Sequence, residues 1–114
     1  RAMTASTSAQ QNVAVGANAL DANTTGDNHV AVGYGALGSN TTGGDNVAVG
    51  LNALTSNTTA IGGVALGHKA LQNNTTAKYN VAIGYQTQTT LLLFVKYCYQ
   101  THQSLQTMAL VHTH

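Results

Sequence analysis

A glycine returns every 17 residues in this chain, at Gly16, Gly33, Gly50, Gly67 and Gly84. The same interval carries the leucines Leu20, Leu37, Leu54 and Leu71, and Asn-Thr-Thr triplets beginning at Asn23, Asn40, Asn57 and Asn74. A fixed period of roughly 20 residues, kept without insertion, means identical backbone turns stacked on one another. A helical repeat needs about 33 residues or more per unit, and each unit here is rich in glycine, β-branched residues and Asn-Thr, which disfavour helix. The predicted fold is therefore all-β: a parallel β-solenoid, or β-roll, of stacked 17-residue coils.

Laid in register, the units read as one strand, a corner, a second apolar segment and a closing turn. The strand segments are Asn12 to Gly16, His29 to Gly33, Asn46 to Gly50, Gly63 to Gly67 and Asn80 to Gly84. Period-two alternation puts Val13, Val30, Val47, Val64 and Val81 on one face with Val15, Val32, Val49, Leu66 and Ile83, and puts Ala14, Ala31, Ala48, Ala65 and Ala82 on the other. A strand apolar on both faces reads as covered on both. The glycine after each strand suits a sharp corner at positive φ. Leu20, Leu37, Leu54 and Leu71 are the expected plugs of the coil interior, and these columns together are the predicted core and assembly residues.

Columns of equivalent side chains stand about 4.7–4.9 Å apart in such a stack, so like charges in neighbouring laps would repel. The column of Asp27 continues as Gly44, Ile61 and Lys78, and that of Asp21 as Gly38, Thr55 and Gln72, which avoids this. One lap buries very little against about 1–2 kcal/mol of backbone entropy per ordered residue, so association is expected. The alanine column, with its small methyl groups, is the expected surface of close approach, in a threefold bundle.

Only 6% of the 114 residues are charged, with Lys+Arg 4 against Asp+Glu 3, so no basic field or acidic tail exists and nucleic acid is not an expected partner. The longest apolar run, Leu91 to Val95, is far short of the roughly 18 residues of a membrane span, and no membrane insertion is expected. The start at Arg1 lacks the order of a secretion signal, which points to a processed chain or a fragment. Cys98, the single cysteine, can form no internal disulfide and reads as a partly buried thiol.

The strings NVAVGANALDANTTG, HVAVGYGALGSNTTG and NVAVGLNALTSNTTA resemble the head repeats of trimeric autotransporter adhesins and related repeats of viral and phage tail fibres. The resemblance covers about residues 12 to 86. It implies a left-handed roll, trimerised through the strand bearing the V-A-V/I-G signature, displayed outside the cell or on a virion and used for attachment to a cell-surface or glycan receptor. The adhesin-head repeat is usually shorter than 17 residues, and this chain shows no coiled-coil stalk or membrane anchor, so the longer lap is closer to fibre-like sequences.

Residues 1–11 read as a lead-in, 12–86 as the repeat domain and 87–114 as a capping or assembly segment. Past Tyr85 the ladder offers Thr87 and Gln88 where Ala and Leu are due, then Leu91-Leu92-Leu93-Phe94-Val95 and Tyr97-Cys98-Tyr99. A cap over the last edge is one reading of this segment; a strand donated to the next protomer, building a filament, is a second; an aberrant carboxy terminus is the third, since Thr101 to His114 has no recognisable pattern.

Chemistry is sparse. Three acidic residues and no nucleophile-base motif supply nothing recognisable for acid-base work, so no catalytic residue, cofactor or enzyme activity is expected. His112 and His114 lack a third ligand, and the carboxylate of Gly43-Gly44-Asp45-Asn46 does not recur per lap as in calcium-binding rolls, so no metal is expected. His29 and His68 read as polar surface residues. The Asn-Thr-Thr ladder reads first as a turn bonded to backbone and stacked neighbours. It also reads as N-glycosylation acceptors at Asn23, Asn40, Asn57 and Asn74, with Asn73 a fifth. Ice binding is disfavoured because adjacent threonines in a strand face opposite ways. The functional expectation is a non-enzymatic extracellular or virion fibre or adhesin module, a homotrimer. The alternative is a self-assembling filament subunit joined through its C-terminal segment.

Overall fold

The computed structural model describes residues 1–87. The capping or exchange segment, with Cys98, His112 and His114, lies outside the described residues apart from Thr87. Five three-residue strands form one parallel sheet in chain order: β1 (Val13–Val15), β2 (Val30–Val32), β3 (Val47–Val49), β4 (Val64–Leu66) and β5 (Val81–Ile83). Each residue pairs with its equivalent one lap on, Val13 with Val30, Ala14 with Ala31 and Val15 with Val32, and so through β5. The chain is thus a β-solenoid of about four turns with a 17-residue period, and among the described residues there is no helix.

Strands this short cannot hold a lap by themselves, and the turns share the load. Leu20 N–H donates to the Ala36 carbonyl at 3.0 Å, Leu37 to Ala53 and Leu54 to Ala70 at the same distance, while Thr24 donates to Thr41 and Thr41 to Thr58. Almost every corner is therefore bonded to the corner above it.

The corner glycines are required on two grounds. Gly16, Gly33, Gly50, Gly67 and Gly84 have φ between 123 and 137°, a region closed to residues with a Cβ. A Cβ at Gly50 would also stand 2.4 Å from the Gly67 carbonyl oxygen. The leucine plugs break the usual rule: Leu20, Leu37, Leu54 and Leu71 all sit at φ of 51–53°. A left-handed non-glycine residue costs about 1–2 kcal/mol, whereas fully burying a leucine side chain contributes about 1.5–3 kcal/mol. Burial thus offsets the strain, and glycine in this place would remove the strain together with the core.

That core is thinner than the alternation implies. Ala31, Ala48, Ala65 and Ala82 on the strands meet Ala19, Ala36, Ala53 and Ala70 and the four leucines inside the coil, all at most 5% exposed. The valines are not part of it. Val13 is 50% and Val15 55% exposed, Ile83 66%, so the expectation that both strand faces are covered is corrected. So is the expectation that the alanine column offers the surface of close approach, because its methyl groups are sealed beneath the leucines. The physical reason is volume: a lap holding one leucine inside has room opposite it for a methyl group and no more, and the β-branched side chains are left to the outer face.

The repeat also runs further than residues 12–86. Ala2 and Met3 occupy the places of Ala19 and Leu20 one lap earlier and pack on the core. Met3 N–H donates to the Ala19 carbonyl, Ala5 to Asp21 and Thr7 to Thr24, and Met3 shares the leucines' positive φ. At the other end Leu71 N–H donates to the Thr87 carbonyl at 2.7 Å and Gln86 N–H to the His68 carbonyl. Residues 1–11 are therefore part of a lap rather than a lead-in, and the backbone keeps register through Thr87.

Candidate functional site

Among the described residues, the outer face of the sheet is a continuous apolar surface that the laps leave uncovered. Two parallel columns of apolar side chains stand on it, Val13, Val30, Val47, Val64 and Val81 beside Val15, Val32, Val49, Leu66 and Ile83, each half-buried or exposed. Neither column contains a charge or a polar group. Just past the glycine corner runs a further column, Ala17, Tyr34, Leu51, His68 and Tyr85, in which Tyr34 is 54% and Tyr85 70% exposed. The His68 and Tyr85 rings stack at 5.0 Å between centroids, tilted by 41°. Monomeric soluble proteins rarely leave a contiguous apolar patch larger than roughly a few hundred Å² in water, and larger ones mark interaction sites.

The triplets form the opposite kind of column. Asn23, Asn40, Asn57 and Asn74 are buried, and their amides chain from lap to lap: Asn40 Nδ2 donates to Asn23 Oδ1 at 2.7 Å, Asn57 to Asn40 at 2.8 Å and Asn74 to Asn57 at 3.4 Å. Each Nδ2 also donates to a carbonyl three residues on, at Gly26, Gly43, Ala60 and Ala77. The hydroxyls of Thr24, Thr41 and Thr58 donate to the carbonyls of Thr41, Thr58 and Thr75. The turn reading thus matches the geometry. The glycosylation reading of Asn23, Asn40, Asn57 and Asn74 is corrected: a glycan on any of these amides would break the buried chain of hydrogen bonds. Asn73 alone of the five is exposed.

A second polar column runs through Asn12, His29, Asn46, Gly63 and Asn80, where sequence reasoning found none. Asn12 Oδ1 accepts the His29 N–H at 2.8 Å, and its Nδ2 donates to the Gly26 carbonyl at 3.0 Å. Asn46 repeats the pattern, with Oδ1 accepting from Gly63 N–H at 2.7 Å and Nδ2 donating to the Ala60 carbonyl at 2.9 Å. His29 stands in this column and does the same work with a ring. Its Nδ1 faces Asn46 N–H at 3.3 Å and its Nε2 the Gly43 carbonyl at 2.7 Å. Only the tautomer with the proton on Nε2 satisfies both, since Nδ1 must accept and Nε2 must donate.

His29 is 1% exposed, which corrects its reading as a surface residue; His68 is half-buried beside Tyr85. Burial pushes the His29 pKa below its ordinary 6.5, against the Gly43 hydrogen bond and the carboxylates of Asp45 and Asp27, which pull it up. Laying out the residue before each valine as a column, Asn-His-Asn-Gly-Asn, would have exposed the ladder. The 17-residue offset from Ala2-Met3 to Ala19-Leu20 would likewise have exposed the first lap.

Among the described residues no three His, Cys, Asp or Glu side chains come together to hold a metal ion, and no helix is long and apolar enough to cross a membrane. Asp45, the carboxylate of the glycine-rich stretch, accepts from Asn28 Nδ2 at 2.9 Å. The exposed valine face, with the aromatic column at its border, is the candidate functional site. A scan against protein-family models finds no match, and searches of curated proteins and of solved structures find none either.

Proposed function

We propose that this chain is a non-enzymatic fibre or adhesin module of an extracellular or virion surface, whose copies join through the valine face, three about a common axis. The observation that carries the reading is that face: two unbroken apolar columns running the length of the sheet with no charge to keep them in water. Covering a half-exposed valine contributes about 1 kcal/mol. Summed along both columns this reaches the order of the roughly 4–15 kcal/mol that association costs. The threefold arrangement and the display outside the cell follow the resemblance to adhesin-head and tail-fibre repeats. The exposed threonine column of Thr25, Thr42, Thr59 and Thr76, repeated on every copy, would then meet a glycan or surface receptor through many weak identical contacts that sum by multivalency.

Mass photometry with negative-stain imaging at several concentrations, followed by a glycan array, tests this reading. Discrete particles of threefold mass are expected. Fibres of unlimited length with no ligand would replace the reading with a structural filament, and a strict monomer would contradict it.

A further inference from the structure

We propose that His29 is an acid-sensitive joint between successive laps, a place where protonation of one side chain loosens the stack. The column it occupies is otherwise filled by asparagine or glycine. An asparagine there cannot titrate; its oxygen accepts and its nitrogen donates at every pH at which the protein exists. The imidazole imitates that amide only while it is neutral. Its Nδ1 lone pair is the acceptor for the Asn46 N–H, and a proton on Nδ1 would set two donors against each other at 3.3 Å. The Asn46 N–H, buried between laps, would then lose its acceptor, and an orphaned buried donor is strongly unfavourable.

The surroundings leave the charged ring little help. On the preceding lap the neutral amide of Asn12 accepts the His29 backbone N–H. On the following lap it meets the Gly43 carbonyl and the Asn40 amide nitrogen, 3.1 Å from Nε2, a donor already committed to Gly43 and Asn23. The charged groups that act on it are the carboxylates of Asp27 and Asp45, which favour protonation but do not outweigh burial. A Cβ at Gly26 would stand 2.7 Å from Nε2 and 2.1 Å from the Gly43 carbonyl oxygen, so the ring and the backbone of the next lap both crowd that position. The column of Gly26 continues as Gly43, Ala60 and Ala77.

The direction of the pH dependence follows. In the unfolded chain the ring takes a proton below its ordinary value of 6.5, whereas the folded ring resists it. His29 therefore leaves stability untouched above that value and lowers it progressively as the pH falls, until the folded ring's own lower pKa is passed. The loosening falls at the junction where Val30 N–H donates to the Asn46 carbonyl and Asn46 N–H to the ring.

The test compares the full chain with its H29N variant, which installs the residue already used at positions 12, 46 and 80, by urea unfolding between about pH 7.5 and 5, the range that histidine titration spans. The wild-type folding constant should fall relative to H29N by up to about tenfold per pH unit below the ordinary histidine value, and parallel profiles would overturn the proposal. Should H29N fail to fold, nitrogen-edited NMR of the wild-type imidazole decides. An unprotonated Nδ1 at neutral pH, titrating below the ordinary value together with loss of Asn46 amide protection, is expected. A ring that titrates at the ordinary value while the Asn46 amide stays unchanged would overturn it.

Discussion

On strands β2 to β5 the inward alanines are sealed under the leucines, while the outward valines, Leu66 and Ile83, larger and more apolar, are left partly buried or exposed, Ile83 at 66%. Hydrophobicity alone would bury the valines first. Available volume decides otherwise, because a 17-residue lap that must close around one leucine cannot also enclose a valine. Interiors are packed to near crystal density, so a surplus methylene has no free space to enter. The price of a short repeat is an apolar face that its own lap cannot cover, and that face is the one the proposed association would bury.

The contrast can be broken from either side. Leu54→Ala should have the largest effect, about 2–5 kcal/mol of lost stability in urea unfolding, since it empties the middle of the coil. Ala48→Leu should follow with about 1–3 kcal/mol from overpacking, while Val49→Leu, one residue away and facing out, should stay within about 0.5 kcal/mol. A reversed order for Ala48 and Val49 would mean that the faces are assigned the wrong way round. The asparagines sharpen the same point for polar groups. Asn57→Ala leaves Asn40 Oδ1 and the Ala60 carbonyl without the donor they share and should cost about 1–3 kcal/mol by the same assay, whereas Asn73→Ala, exposed next to the ladder, should fall within about 0.5 kcal/mol.

The columns themselves were legible before any coordinates. A constant interval places Gly33 on Gly50 and Leu37 on Leu54 whatever the local conformation, so fold class, strand position and register follow from counting. What counting leaves open is which side of a strand faces inward, since Val-Ala-Val alternates equally well about either choice. The smallness of the alanine column suggests close approach and hence assembly. Smallness is equally the mark of a residue opposite a leucine, and the latter holds here. The positive φ of Leu20 and its equivalents was invisible for a different reason: conformational preference argues against it at any single position, and only the burial of the whole column outweighs that preference. The place of His29 is hidden in the sequence because a histidine replacing an asparagine matters only through the partners of both its ring nitrogens.

Thiol accessibility at adjacent strand positions tests the central claim most directly. In a chain with Cys98 replaced by serine, the thiols of Ala48→Cys and Val49→Cys would be challenged with a labelling reagent under native conditions across a dilution series. The account predicts that the Ala48→Cys thiol stays protected at every concentration, while the Val49→Cys thiol is protected when the chains are concentrated and labels freely when they are dilute. A Val49→Cys thiol that labels equally at all concentrations would contradict association through this face, and an Ala48→Cys thiol that labels first would contradict the arrangement of the core.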